Sequence, residues 1–218
     1  MSRRPLLFAL LLFAALPAAA EEPDVKAVVR ALEQHYNNVR TLEADFVQRY
    51  TLGANTVVES GHVYFLKPGR MRWDYTSPDG KFFLTDGEYA YLYSRAEAQV
   101  RRQSMKKTPQ WQAAFALLLG RVDLSRIFDP IQLVRVHQLG TPARWQLRAQ
   151  AKSDQQGFHE VWLDLNDRYQ LLRIEIRQSD GSLMEFHFRQ WREQHPLSPE
   201  LFRLQVPPGT VWLDEESF

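Results

Sequence analysis

Between Val57 and Tyr93, four short segments rich in β-branched and aromatic residues are separated by Pro68-Gly69, Pro78-Asp79-Gly80 and Asp86-Gly87, and this punctuation constrains the chain most. Such turn sequences reverse an extended chain within a few residues, so Val57–Leu66, Arg70–Tyr75, Lys81–Thr85 and Tyr89–Tyr93 are predicted to pair as an antiparallel meander. The pattern returns in the second half. Ile131–Val136, Trp145–Ala149, Phe158–Leu165, Leu171–Arg177 and Leu183–Trp191 read as strands, with turns at Asn166-Asp167 and Asp180-Gly181. Leu172, Ile174 and Ile176 alternate with Arg173, Glu175 and Arg177, which gives that strand one buried and one wet face.

Two segments break the strand rhythm. Asp24 is a plausible N-cap for a helix reaching about Asn38, with Val25, Val28, Val29, Leu32 and Tyr36 at three- and four-residue steps. Gln110 to Leu119 places Trp111, Ala114, Phe115, Leu118 and Leu119 at helical spacing and closes at Gly120. Many strands with so few helices predict a mainly β (α+β) fold, a single curved antiparallel sheet whose concave side is covered by short helices. Two short helices are expected to leave part of the hollow unfilled, as a cavity lined by apolar groups.

Arg3 and Arg4 precede an apolar run from Leu6 to Leu16, then Pro17 and Ala18-Ala19-Ala20, the pattern of a secretory signal peptide cut after about Ala20. The run is about half of the roughly 20 residues needed to span a bilayer. Residues 21–218 contain no Pro/Gly/Ser-rich linker and no repeat, and are read as one domain. The 27 Lys+Arg and 26 Asp+Glu nearly cancel, which leaves no electrostatic footprint for nucleic acid. With 0 cysteines, a disulfide scaffold, a thiolate metal site, a cysteine nucleophile and a lipid-bearing N-terminal cysteine are all ruled out.

Enzyme signatures are equally scarce. None of His35, His62, His137, His159, His187 and His195 lies in a close ligand pattern, and no metal is predicted. There is no G-x-S-x-G elbow, no phosphate-cradling glycine loop and no dinucleotide fingerprint, and no cofactor is expected. A distant pair of carboxylates in a cleft is the one hydrolase arrangement that stays open. Aromatic residues are the more informative feature. Tyr89, Tyr91 and Tyr93 share one face of their strand, opposite Ala90 and Leu92.

Four stretches in order carry a resemblance: Arg40 to Gln48; Gly61 through Trp73, with Lys67-Pro68-Gly69-Arg70; Pro78 through Gly87; and Phe202 to Asp214, with Pro207-Pro208-Gly209-Thr210-Val211. Over essentially the whole exported region the chain resembles the LolA family of periplasmic outer-membrane lipoprotein carriers. The resemblance implies an incomplete antiparallel barrel with a helical lid, and a monomeric, non-enzymatic shuttle. Its implied partners are acylated lipoproteins, an inner-membrane lipoprotein-releasing ABC transporter and an outer-membrane acceptor lipoprotein.

The resemblance also assigns residues. Where the family has an arginine that latches the lid to helix carbonyls, this chain has Lys67, whose flexible stem lacks the planar fork; Arg70 and Arg72 are the alternatives for that role, and exposed strand charge is the other reading of both. The implied latch partners are Leu117 and Leu119. The implied acyl-chain cavity is lined by Leu32, Phe46, Met71, Trp73, Tyr91, Tyr93, Phe115 and Leu118. Two other functions stay open at this point: a lipid- or lipoprotein-sensing domain of the same fold, and a periplasmic hydrolase.

Overall fold

The computed structural model describes residues 24–107, 115–134, 142–153 and 157–214. The expected signal peptide, with its Ala20 cut, therefore lies outside the described residues, as do the first half of the Gln110–Leu119 helix and the end of the Ile131–Val136 strand.

Helix α1 spans Val25–Asn38, and the Asp24 carboxylate caps it by accepting from the Lys26 N–H at 3.2 Å. Its buried stripe is Val28, Leu32 and Tyr36. Helix α2 is the single turn Ala116–Leu119, with Leu117, Leu118 and Leu119 all buried.

Among the described residues, twelve strands form one curved sheet that does not close. They are β1 Thr41–Leu52, β2 Asn55–Leu66, β3 Arg70–Ser77, β4 Asp79–Thr85, β5 Tyr89–Ser94, β6 Gln99–Ser104, β7 Phe128–Val134, β8 Trp145–Ala151, β9 Phe158–Leu165, β10 Leu171–Gln178, β11 Leu183–Glu193 and β12 Val211–Asp214. The order β12-β6-β5-β4-β3-β2-β1-β11-β10-β9-β8-β7 is two consecutive meanders joined where β1 pairs with β11. The expected turns are present, and Gly69, Gly80 and Gly87 reverse the chain at φ values of 74°, 83° and 102° that glycine adopts without strain.

Two details of the sheet differ from expectation. It is not antiparallel throughout, because β12 runs parallel to β6. Neither of these strands is prominent in the sequence, since Gln99–Ser104 is mostly polar and Val211–Asp214 is very short. In β10, a register shift between Leu171 and Arg173 makes Leu171 the fully buried residue and leaves Leu172 half-buried. A bulge of this kind moves the residues before it to the other face, which strict alternation misses.

One face of the sheet packs against α1 and α2 and carries the main core, including Phe46, Phe65, Met71, Trp73, Leu147, Leu163, Ile174, Phe186 and Phe188. The opposite face of β4–β6 carries a smaller cluster, Phe82, Leu84, Tyr91, Tyr93, Val100 and Phe202, strapped by Leu197, Leu201, Leu204 and Val206.

Gly61 makes the main core possible at one point. Phe46 of β1, Gly61 of β2 and Tyr75 of β3 lie on one register line. With no side chain on β2 between them, the rings of Phe46 and Tyr75 meet edge to face at 5.2 Å, and Phe46 also reaches Trp73 at 4.7 Å. A Cβ on Gly61 would lie 1.9 Å from the Asp74 carbonyl oxygen and 2.9 Å from the Tyr75 Cα. Backbone cannot swing aside as a flexible side chain does, so Gly61→Ala is expected to destabilise by about 3 kcal/mol or more, read as a lower denaturation midpoint with unchanged slope.

Candidate functional site

The helix-covered face converges on Trp73. Its ring lies 4.7 Å from Phe46, 5.6 Å from Phe115, 5.1 Å from Phe186 and 6.2 Å from Phe188. Its indole N–H donates to the Met71 thioether at 3.2 Å, so the two residues that share this face of β3 also hold each other's orientation. Phe115, immediately before α2, packs on Phe186 at 5.0 Å. One short helical segment thus presses a phenyl ring into the centre of the aromatic cluster.

Leu32, Phe46, Met71, Trp73, Phe115 and Leu118 all fall in this one cluster. Tyr91 and Tyr93 do not. Leu84 pairs with Tyr91 and Arg72, and Phe82 with Tyr93 and Asp74, which places both tyrosines on the face opposite Met71 and Trp73. There Tyr93 stacks on Phe82 at 5.0 Å, and the Tyr91 hydroxyl donates to Asp86 at 3.1 Å. The physical reason is that β4 and β5 are covered on both faces, so an aromatic residue there does not declare its side. Phe186 and Phe188 are members of the cluster that sequence reading missed, although their two-residue spacing in β11 carries the signal. Around Trp73 these rings are in contact, so the expected vacancy does not stand open at that point.

Lys67 ties the two helices to the sheet. It is 8% exposed, and its ammonium donates to the carbonyls of Leu117 at 2.6 Å, Tyr36 at 2.7 Å and Gly120 at 3.2 Å. Those oxygens belong to the last turn of α1, where the Tyr36 carbonyl also accepts from the Val39 N–H at 3.3 Å, and to the end of α2, positions where a cation is favoured. The next turn adds a main-chain bond, as Gly69 N–H donates to the Leu119 carbonyl at 2.7 Å. Arg72, the alternative latch, lies on the opposite face, where its Nε–H is shared between the two carboxylate oxygens of Asp74 and its Nη1 donates to the Leu201 carbonyl. Arg70 is exposed. Tyr36 and Gly120 complete the acceptor set, and neither is recognisable from sequence because a backbone carbonyl belongs to every residue. Burial pushes the Lys67 amine down to about 8.

Among the described residues no group of three His, Cys, Asp or Glu side chains is placed to hold a metal ion.

Residues 37–205 match the family described as outer membrane lipoprotein carrier protein LolA. The chain belongs to this family. It is 27% identical over 203 residues to the outer-membrane lipoprotein carrier protein of Chromobacterium violaceum, covering 93% of this chain and 95% of that one. The corresponding Nitrosospira multiformis protein is 28% identical over 189 residues, covering 86% and 88%. A crystal structure of an uncharacterized conserved protein from Thermus thermophilus superposes with a TM-score of 0.54 at 13% identity, covering 87% of this chain and 98% of that one, which is a likeness of fold. The LolA match takes in the Arg40, Gly61 and Pro78 stretches whole and ends inside the fourth, at residue 205.

In the unfolded chain the Lys67 amine titrates at its ordinary 10.5, so between about pH 8 and that value the unfolded state binds the proton more strongly than the folded state. Stability contributed by Lys67 should therefore rise with pH across this window. Lys67→Met should cost on the order of 2 kcal/mol at neutral pH, as three charge-assisted bonds are lost and one buried charge is relieved. It should also remove the alkaline rise, which is checked by melting both proteins at about pH 7 and about pH 9.5.

Proposed function

We propose that the protein is a periplasmic carrier that binds the acyl chains of lipoproteins released from the inner membrane and delivers them to the outer membrane. Several features support this reading: membership in the LolA family, the signal-peptide pattern ahead of Glu21, and above all the way Lys67 holds two helices over an aromatic sheet face.

The energetics set the task. Each CH₂ removed from water contributes about 0.8 kcal/mol, so one exposed sixteen-carbon chain costs on the order of 10 kcal/mol in water. A lipoprotein crossing the periplasm needs a cover, yet a cover that bound its chains at full hydrocarbon strength would not release them. A face occupied by its own rings in the empty state and uncovered only when a small lid lifts gives the intermediate affinity that transfer requires.

The lid in this reading is α2 with Phe115, together with the end of α1. Breaking the Lys67 bonds frees the Leu117 and Gly120 carbonyls at once, and lifting α2 takes Phe115 off Trp73 and Phe186. Leu32, Phe46, Met71, Trp73, Phe186, Phe188 and Leu118 then line the exposed acyl site. Closing after delivery returns Phe115 to the cluster and restores the bonds, which favours release in one direction. An inner-membrane lipoprotein-releasing ABC transporter loads the carrier, and an outer-membrane acceptor lipoprotein unloads it.

The test is release of an acylated lipoprotein from spheroplasts with and without the purified protein. The protein should bring the lipoprotein into solution; lipoprotein that stays membrane-bound regardless of added protein would refute the carrier reading. Lys67→Leu should keep acyl binding but slow onward transfer to outer-membrane vesicles by about tenfold, since closure no longer drives release.

A further inference from the structure

The tryptophans of the described residues differ in how their indole N–H groups are satisfied. Trp73 donates to the Met71 sulfur at 3.2 Å, Trp162 to Glu160 at 2.5 Å and Trp191 to the Leu171 carbonyl at 2.5 Å. Trp212 is 49% exposed, within reach of water. Trp145 fits neither group. Its Nε1 is buried and has no acceptor among the described residues. An unmet buried donor is unfavourable in the empty protein, and an exception of this kind calls for a cause.

Position supplies one. Trp145 opens β8 on the same face as Leu147 and Ala149 and packs against the helix-covered core. The register runs from Trp145 across to Leu165 in β9 and on to Leu171 in β10. The Leu171 N–H donates to the Tyr36 hydroxyl at 2.9 Å, and the Tyr36 carbonyl accepts from Lys67. Trp145 is therefore at the end of the sheet where α1 is latched. The Arg144 guanidinium lies 5.0 Å from the ring centroid and covers one face of the indole.

An indole N–H only donates, so its missing partner is an acceptor. A fatty chain bound on this face carries no acceptor along its length; the first one it offers is the ester carbonyl at its polar end. We infer that the Trp145 N–H receives an ester carbonyl of the bound acylglycerol group, so that the protein selects acyl esters over chains of equal length lacking that carbonyl. The inference rests on the acyl-carrier reading and adds to it the residue that reads the head of the chain.

Binding of dioctanoylglycerol and of its dioctyl ether counterpart to the purified protein, measured by calorimetry, tests it. The wild-type protein should prefer the ester by about three- to tenfold, the worth of one neutral hydrogen bond. Trp145→Phe keeps an aromatic ring and should abolish the preference, bringing ester affinity down to that for the ether. In the unaltered protein, the ¹⁵N–H resonance of Trp145 should shift on adding the ester and not the ether, which guards against a variant that folds poorly. A preference that survives Trp145→Phe, or a resonance that responds equally to both lipids, overturns the inference and leaves the carrier reading intact. Wild-type protein that binds neither lipid overturns both.

Discussion

A curved sheet that does not close leaves one apolar face to be covered, and in this protein the cover is too small to hold by packing alone. Helix α2 is a single turn. Beside its buried leucines and the main-chain bond from Gly69 to Leu119, it is attached by one ammonium group, Lys67, which gathers carbonyls from the ends of both helices. Among the described residues the group has no carboxylate partner, so the attraction of three carbonyl dipoles is set against the loss of hydration. That balance suits the opening and closing proposed for the lid. A buried ion pair would be hard to reopen, and a purely apolar contact would lack a defined closed position.

The face beneath the cover is organised by an absence. Because Gly61 has no side chain, rings from β1 and β3 meet across β2, and Trp73 then reaches Phe46, Phe115, Phe186 and Phe188. The opposite face of β4–β6 is covered by the Leu197–Val206 strap, which anchors β3 through the bond from Arg72 to the Leu201 carbonyl. Strands β3 to β5 are thus fixed from behind, while α2 is held from the front by few contacts.

Much of this was legible in the chain. The turns at Pro68-Gly69, Pro78-Asp79-Gly80 and Asp86-Gly87 marked β2 to β5, because reversal of an extended chain is a local property of glycine and proline. The bonding of Lys67 to helix carbonyls was legible only through the family resemblance. Strand β12 was not legible, since a four-residue segment becomes a strand only by pairing with β6, far away along the chain. Tyr91 and Tyr93 were assigned to the wrong side for a related reason: with both faces of β5 covered, polarity no longer distinguishes them. Phe186 and Phe188 had the right spacing, but nothing near them in sequence ties β11 to Trp73.

What the sequence determined by itself was the set of local choices: where the chain reverses, which residues alternate, and the presence of a lysine where the family carries arginine. Alternation divides a strand into two sets of side chains without saying which set meets the helices. That decision, together with the three carbonyls around Lys67, the bulge that buries Leu171 and the unmet N–H of Trp145, belongs to the tertiary structure. Each of these depends on groups brought together from separate strands and helices, and the cost or gain of burying them exists only once those neighbours are in place.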